Sequence, residues 1–396
     1  MLFVNKICYA SCCCKEETFE RLWSGDMKSA PAQCAQKYHR LFAEGLSGNG
    51  YSVELVSFIS VPTKYRIEYC YGKKETDDKL IYWYLPVAKN KFVRHIQAVI
   101  SSYKKSKDIL ENKADFSMGD ILCISVSIGC LLASKKRGKP FYAIVTDLPD
   151  MFAGYRFSLE YYLEKWILKN ADGYVFLTQL MNDKVNKKEK PYVVLEGQVD
   201  SKDQLSVGEK RDEKFVVLYA GSMAKQYGID YLIDGFIDAD IPDSELHLYG
   251  NGDYVDKIKK IVTEFSNIKY YGEQVNRMVV EAEKRATVLV NPRPTYEEYT
   301  KYSFPSKNME YMLSGTAVLT TSLPGMPAEY NDYVYLIKEE NRLGISQMLK
   351  YLFGLGRGTL EQKGNAAREF VLSNKNNVTQ AKKVIEMFFA SREQEK

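Results

Sequence analysis

Short apolar runs alternate with stretches of helical spacing along the chain, in two successive series. The second series predicts strands at 215–221, 245–250, 268–272, 286–291, 316–321 and 333–337, and helices at 229–239, 253–265, 275–285 and 307–315. Strands that are apolar throughout and alternate with helices are typical of a parallel sheet covered on both faces. This half therefore predicts a Rossmann-like domain.

The first series has the same character. It predicts helices at 32–46 and 158–170 and strands at 51–60, 173–178 and 192–197. A strand–helix–strand unit is predicted over 121–146, with its first strand at 121–127. Ser158 is expected to cap the second helix.

A polar, charged stretch at 201–214 separates the two series and is predicted to be a linker. The fold class is therefore α/β, with one Rossmann-like domain over 1–205 and another over 210–375 facing a central cleft. A last helix, part of 376–396, is long enough to cross back to the first domain. Ligands of such sheets bind beyond the C-terminal ends of the strands.

Composition narrows the class of protein. The 396 residues are 45% hydrophobic and 27% charged, as in an ordinary soluble globular protein. A net charge of +4 is too balanced for a generic nucleic-acid binder, so no nucleic-acid partner is expected.

Residues 89–107 hold six basic side chains and no acid. Phe92, Ile96, Val99 and Tyr103 recur there at helical spacing. A basic amphipathic helix of this kind can lie on an anionic membrane surface. The alternative is an ordinary surface helix with a solvated face.

All eight cysteines lie within the first 130 residues. The start of the chain has neither a basic n-region nor a long apolar run, and 121–133 is too short to span a bilayer. We therefore expect a reducing cytoplasmic protein with free thiols. The adjacent thiols of Cys12–Cys14 lack zinc-site spacing, and His39, His95 and His247 form no triad or ligand pattern, so no metal is predicted.

Residues 289–331 hold the densest group of candidate functional side chains. A strand ends at Asn291, and Ser303-Phe304-Pro305-Ser306 then opens a helix, with serine before proline as the predicted cap. The free N–H groups of a helix start favour an anion such as phosphate. Glu310 lies about a turn and a half into this helix, within reach of a sugar hydroxyl.

The stretch SFPSKNMEYMLSGTAVLTTSLPGMPAEY resembles the donor-site segment of retaining family 4 glycosyltransferases with the GT-B fold, especially those of capsule and exopolysaccharide clusters. The resemblance covers roughly 215–340. It implies that Ser303, Phe304, Pro305, Ser306 and Lys307 meet a donor diphosphate and that Glu310 binds the nucleotide ribose.

Three positions depart from that family's pattern. Tyr302 stands where the family has the first of two glutamates, and Glu297 or Glu298 are the nearby candidates to replace it; the alternative is a solvated loop. In the strand–glycine–helix segment 219–233, Ser222 follows Gly221 where the family has arginine, and Tyr227 replaces its lysine. Lys225 is then the cation predicted to neutralise the diphosphate.

Three further contacts follow from the resemblance. Gly250 would let backbone approach the nucleotide, and Tyr271-Gly272 would meet the base. Asp147, at the end of a first-domain strand where many family members have His-Asp, would contact the donor sugar or the acceptor hydroxyl. An Asp before Leu-Pro also commonly just makes a turn.

The resemblance implies a retaining, metal-independent transfer of a sugar from a nucleotide-diphosphate sugar. A UDP-sugar is favoured, with a GDP-sugar as second choice. The acceptor would be lipid-linked or an oligosaccharide in cell-surface polysaccharide biosynthesis. No cofactor is expected, because the nucleotide-sugar is a substrate. The rivals are a non-catalytic sugar-nucleotide-binding partner of a glycosyltransferase and a sugar-nucleotide epimerase of the same fold.

Overall fold

The structure is a computed structural model that describes residues 5–23, 31, 33–59, 61–88, 90–151, 155–203 and 212–394. The chain divides into two compact units. Unit 1 comprises 1–198 and 376–396, and unit 2 comprises 199–375.

Unit 1 is built on a sheet with strand order β3-β4-β2-β1-β5-β6-β7-β8, in which β3 pairs antiparallel with β4 and the other pairs are parallel. The strands are β1 Lys6–Ser11, β2 Ser52–Ser57, β3 Lys73–Asp77, β4 Leu80–Tyr84, β5 Ala114–Asp120, β6 Phe141–Val145, β7 Gly173–Phe176 and β8 Tyr192–Val194. The helices are α1 Glu16–Trp23, α2 Gln33–Gly48, α3 Arg66–Tyr69, α4 Lys91–Glu111, α5 Ile124–Arg137, α6 Leu159–Asn170 and α7 Gln179–Val185.

The prediction of a strand at 121–127 is wrong. The strand is β5, seven residues earlier, and α5 already begins at Ile124. Asp120 ends the strand by accepting a hydrogen bond from Leu122 N (3.0 Å), which turns the chain into the helix. The strand carries Ser117, Gly119 and Asp120, so it looks polar although the residues of 114–120 are buried or nearly so.

The predicted helix over 158–170 is present as α6. Ser158 caps it, accepting a hydrogen bond from Tyr161 N. This end was visible in the sequence because an N-cap serine acts through its own local backbone.

The last helix, α14 (Asn377–Gln394), belongs to unit 1 and packs against α2. Asn377 Nδ2 donates to Leu41 O (3.1 Å), and Gln380 Nε2 donates to Gly197 O (2.6 Å). Gly45 allows this close approach, because a Cβ there would lie 2.1 Å from Asn377 O. The predicted return of the C-terminal helix to the first domain is confirmed.

Unit 2 has a parallel sheet with strand order β11-β10-β9-β12-β13-β14. Its strands are β9 Phe215–Ala220, β10 Ser244–Tyr249, β11 Ile268–Gly272, β12 Val288–Asn291, β13 Ala317–Thr321 and β14 Tyr335–Ile337. Its helices are α8 Ile229–Ala239, α9 Val255–Glu264, α10 Asn276–Arg285, α11 Ser306–Leu313, α12 Arg342–Leu355 and α13 Arg357–Asn374.

Alternate residues of β9 enter two different cores, which is what a sheet covered on both faces requires. Val217 and Tyr219 pack with α8 and α12, and Val216 and Leu218 pack with α11 and α13. The six predicted strands and four predicted helices of this half are all present. No helix among the described residues is long and apolar enough to cross a membrane.

Candidate functional site

A pocket of about 230 Å³ lies in unit 2, where β9 and β12 end and α11 begins. Its lining residues come from these strand ends and from the helix start: Tyr219, Ala220, Gly221, Ser222, Tyr227, Asn291, Arg293, Phe304, Pro305, Ser306, Lys307 and Tyr311. The C-terminal edge of a parallel sheet is where such folds bind ligands. Six residues predicted from the sequence therefore meet here: Gly221, Ser222, Phe304, Pro305, Ser306 and Lys307.

Two buried polar side chains fix α11 to the strand ends. The Tyr311 hydroxyl accepts from Ala220 N (2.9 Å) and donates to Ala220 O (3.1 Å). Asn291 Nδ2 donates to Asn308 Oδ1 (2.7 Å), and Asn308 Nδ2 reaches Thr320 Oγ1 (3.3 Å). Burial raises the pKa of Tyr311 well above its ordinary value, so the phenol stays protonated. The helix start is thus held rigidly at the pocket.

The predicted serine cap of α11 is wrong. Pro305, not Ser303, occupies the N-cap position, and proline has no side-chain oxygen to satisfy the first N–H groups. Ser303 instead follows a 3₁₀ turn at 298–302. Its Oγ is buried without a hydrogen-bond partner among the described residues. The N–H groups of Ser306 and Lys307 thus start an α-helix at the pocket wall with no side-chain cap from Pro305, the geometry that suits an anion.

Lys307 is already tied to carboxylates. Its Nζ lies 2.8 Å from Glu310 Oε2 and 3.8 Å from Oε1 of the fully buried Glu283. A buried carboxylate needs a partner charge, so Lys307 neutralises Glu283 and orients Glu310. The lysine lines the pocket, whereas Glu310 lies beside it behind this ion pair.

Arg293 is a pocket cation that the sequence reasoning missed. Its guanidinium lies over the rings of Tyr227 (5.3 Å) and Tyr299 (4.6 Å). Thr321 Oγ1 donates to the Arg293 carbonyl (2.5 Å), which fixes the backbone. Its position two residues beyond the end of β12, at the ligand-binding edge, was the available signal.

Lys225 lies outside the pocket lining. Its side chain is 73% exposed, and its Nζ is 3.6 Å from Asp230 Oδ2. Tyr227, in the family's lysine position, lines the pocket and stacks on Arg293. The structure therefore brings the positive charge into this pocket from β12 rather than from the loop after β9.

Glycine keeps the loops at this edge close together. Gly250 has φ +135°, and a Cβ there would lie 1.9 Å from Gly221 O. Gly221 N donates to Tyr249 O, and Gly250 N donates to Gly272 O (2.8 Å). The predicted residues Gly221, Gly250 and Gly272 thus form one chain of backbone contacts across β9, β10 and β11.

The remaining predicted residues lie apart from the pocket lining. Tyr271 stacks on Tyr249 with ring centroids 4.6 Å apart and is partly exposed. Glu297 is half-buried and Glu298 is exposed, on the loop after β12. Asp147 is exposed, beyond the end of β6 in unit 1, so its predicted contact stays a prediction.

Within the described part of the chain, no group of three or more His, Cys, Asp and Glu side chains is arranged to hold a metal ion. The eight cysteines are free thiols. Cys13 and Cys14 are buried beside α2, where Gln36 Nε2 donates to Cys12 O (2.7 Å) and Gln36 Oε1 accepts from Cys14 N (3.1 Å). This cysteine cluster is a packed connection between β1 and α1.

Solved structures with the same architecture identify the class of fold. Sucrose-phosphate synthase from Thermosynechococcus elongatus superposes with a TM-score of 0.67 at 16% identity, covering 98% of this chain and 100% of that one. A glycosyltransferase from Rickettsia africae ESF-5 gives 0.66 at 14% identity, covering 98% of both chains. HepE from Anabaena, in complex with UDP, gives 0.61 at 12% identity, covering 97% and 100%. The predicted two-domain GT-B fold is confirmed.

Residues 200–370 match the family described as Glycosyl transferases group 1. No curated protein sequence matches the chain significantly. The family match spans almost all of unit 2 and less than half of the whole chain.

Proposed function

We propose that this chain transfers a sugar from a nucleotide-diphosphate sugar to a hydroxyl acceptor with retention of configuration and without a metal. The observation that carries the proposal is the unit 2 pocket, where the start of α11 and the guanidinium of Arg293 converge. Helix N–H groups and a planar cation are the two elements that bind a diphosphate. A departing nucleoside diphosphate is the charge that such a site stabilises.

The proposed roles follow from position. Arg293 and the N–H groups of Ser306 and Lys307 bind the diphosphate, with Lys225 as a second, more exposed cation. Glu310, oriented by Lys307, accepts hydrogen bonds from the ribose. Gly221, Ser222 and Gly250 admit the nucleotide backbone closely, and Tyr271-Gly272 lies on the base side. Asp147 and Glu298 are proposed to contact the sugar or the acceptor hydroxyl.

We favour UDP as the donor nucleotide, with GDP as second choice. Two solved structures with this fold were determined in complex with UDP: HepE from Anabaena and a TarM mutant from S. aureus, the latter matched over 74% of this chain and 59% of that one at a TM-score of 0.55. The acceptor is proposed to be a lipid-linked or oligosaccharide precursor of a surface polysaccharide, as in the capsule and exopolysaccharide enzymes that the donor segment resembles.

The first experiment is thermal stabilisation by a panel of nucleotides and nucleotide-sugars. A ligand that binds only the folded protein raises the melting temperature by mass action. We expect stabilisation by one nucleotide class, weakened in Glu310→Ala and retained in Glu264→Ala, which removes an exposed carboxylate at the end of α9. Absence of stabilisation by every nucleotide would contradict the donor site.

Two rival functions give different outcomes. A non-catalytic partner, suggested by the Tyr302 and Ser222 replacements, would bind the nucleotide but never transfer or hydrolyse the sugar, whatever the acceptor. An epimerase of the same fold would convert the sugar-nucleotide with no acceptor present. Product analysis with and without an acceptor separates these from the proposed transfer.

A further inference from the structure

Two helices of unit 1 carry matching apolar stripes that face solvent. The stripes are Val93, Ile96 and Ile100 on α4 and Leu159, Tyr162 and Trp166 on α6. Each has the spacing i, i+3, i+7, which places its members on one side of the helix. Ile96 is 65% exposed and Leu159 is 69% exposed, and Phe157, just before α6, is 91% exposed.

Neither stripe takes part in the core of unit 1. Over 98–106 of α4, the buried residues are small, Ala98, Ser102 and Ser106, and the helix packs against α5. The two backbones approach closely, because a Cβ on Gly129 of α5 would lie 2.5 Å from Val99 O. Val93, Ile96 and Ile100 are therefore left outside, whereas Ile109 and Leu110 at the end of α4 are buried. On α6, Ile167 and Leu168 supply the buried face instead.

The two stripes belong to one layer and run in the same direction. α5 packs between α4 and α6, and His95 Nδ1 contacts Ser125 Oγ (3.1 Å) near the starts of α4 and α5. Both α4 and α6 run from the end of one strand to the start of a parallel one, so both stripes begin at the same edge of the sheet. Each stripe is continued at its far end by an exposed lysine, Lys104 on α4 and Lys169 on α6.

The net charge of this layer is strongly positive. Helices α4, α5 and α6 hold ten Lys and Arg against four Asp and Glu, and one of those acids, Glu164, is buried. Their net charge of +6 exceeds the +4 of the entire chain, so the rest of the protein is slightly acidic. A surface that is both apolar and strongly basic complements an anionic lipid bilayer better than it does another copy of the same positive surface.

We propose that the outer face of the α4–α5–α6 layer binds the surface of an anionic lipid bilayer. The stripes enter the boundary between headgroups and acyl chains, with Tyr162 and Trp166 at the headgroup level, and the lysines contact anionic headgroups. This extends the membrane hypothesis for 89–107 to a second helix that composition alone did not single out. It goes beyond the donor proposal and does not depend on it.

The test is co-sedimentation of the full chain with vesicles of phosphatidylcholine, with and without phosphatidylglycerol. We expect binding only to the anionic vesicles, weakened by salt. The double variant Ile96→Ser/Trp166→Ser should lower the partition constant about tenfold or more, from lost apolar burial. The matched control, Ile67→Ser/Tyr71→Ser, removes two side chains that are 84% and 93% exposed elsewhere in unit 1 and should bind as wild type.

A second measurement, tryptophan fluorescence, reports whether Trp166 of α6 enters the bilayer. Trp23 is buried and Trp166 is 37% exposed, so vesicle binding should shift tryptophan emission to shorter wavelength in wild type but not in Trp166→Phe. Nucleotide stabilisation of the stripe variant should equal that of wild type, which separates this inference from the donor proposal. Equal binding to both vesicle types, or stripe variants that bind normally, would overturn it. So would a dimer that the stripe variants abolish while vesicles are ignored, because the face would then bind a second copy.

Discussion

The two units end their central parallel strands in opposite ways. In unit 1 buried polar side chains pack together at the end of β5: the Tyr9 hydroxyl contacts His39 Nδ1 (2.5 Å), and His39 Nε2 contacts Asp120 Oδ2 (3.0 Å). All three side chains are almost completely buried. In unit 2 the corresponding space beyond β9 and β12 is a pocket of about 230 Å³. Polar side chains thus close the end of β5 in unit 1, whereas the ends of β9 and β12 in unit 2 border an open pocket.

The chemistry of the two edges explains the difference. Burial by itself would raise the pKa of Asp120, but the His39 charge, together with hydrogen bonds from His39, Leu122 N and Cys123, lowers it below its ordinary value. The carboxylate of unit 1 is therefore fully satisfied within the protein. In unit 2 the pocket is lined by the start of α11 and by Arg293, and its lining includes no Asp or Glu. We infer that the His39–Asp120 pair at the end of β5 is structural and that the unit 2 pocket is built for an anionic ligand.

The largest loss of stability is expected from a variant that removes the Asp120 carboxylate at the end of β5. Asp120→Ala leaves His39 and Leu122 N without their acceptor, and removing one partner of a buried pair costs about 3 kcal/mol. The tryptophans, Trp23, Trp83 and Trp166, all lie in unit 1, so urea unfolding followed by their fluorescence reports this unit alone. Nucleotide binding by unit 2 should persist under native conditions. An unchanged unfolding midpoint would contradict a structural role for this edge.

The pH dependence of the same edge has a defined sign. A folded-state pKa below the unfolded one makes Asp120 stabilising above its unfolded pKa, and this stability is lost as the pH falls through the folded value. The ordinary value is 3.8, so the loss occurs below about pH 4. Asp120→Asn, which cannot ionise, should show a shallower acid limb than wild type in the same fluorescence assay.

The next largest effect is a loss of activity expected from variants of Arg293, at the open edge of unit 2. Arg293→Ala should lower kcat/KM for transfer about 100-fold, which is about 2.7 kcal/mol, because it removes the pocket cation proposed to stabilise the leaving diphosphate. Arg293→Lys keeps the charge but loses the planar fork and its stacking on Tyr227 and Tyr299, so it should recover only part of the rate. Both variants should keep the wild-type unfolding transition of unit 2, measured by calorimetry because the tryptophans all lie in unit 1. Full activity in Arg293→Ala would remove this residue from the donor site.

A smaller effect comes from the backbone that shapes the open edge. Gly250→Ala places a Cβ against Gly221 O at a φ of +135°, and the loops must separate. We expect a loss of about 2 kcal/mol in the stability of unit 2 and weaker nucleotide binding, measured by calorimetry. The control is Gly138→Ala, whose φ is also positive but whose Cβ would meet open space; it should cost about 1 kcal/mol and leave nucleotide binding unchanged.

The contrast between the units also decides what the sequence could predict. In unit 2 the strands are mostly apolar, and four of the six predicted strands end at glycine or asparagine, so every predicted strand and helix is present. Helices α12 and α13 were not predicted. In unit 1, β5 carries Ser117 and Gly119 because α5 packs tightly against it, and a polar-looking buried strand gives no apolar signal. β1 was missed as well, since its KICYAS sequence is short and runs into the cysteine cluster.

The residues of the candidate site also fall into those that the sequence predicts and those that it does not. Ser306 and Lys307 were predictable, because a proline at a helix start is a local signal. Arg293 was not, since its role depends on β12 ending beside α11, on Thr321 holding its carbonyl and on two tyrosines stacking with its guanidinium. These are contacts between segments distant in sequence, and local pattern does not report them.

The smallest loss of activity is expected for Lys225, the cation that the sequence analysis predicted at the diphosphate. Lys225 is 73% exposed and lies 3.6 Å from Asp230, so solvent and that carboxylate screen its charge. The resemblance alone predicts a loss of at least about 100-fold for Lys225→Ala; the geometry lowers this expectation to about tenfold, near 1.4 kcal/mol. Kinetics of Lys225→Ala beside Arg293→Ala, at low and high salt, rank the two cations directly. If Lys225→Ala proved the more damaging, the loop after β9 would have to move onto the diphosphate when donor binds, and the open edge of unit 2 would be completed by its ligand.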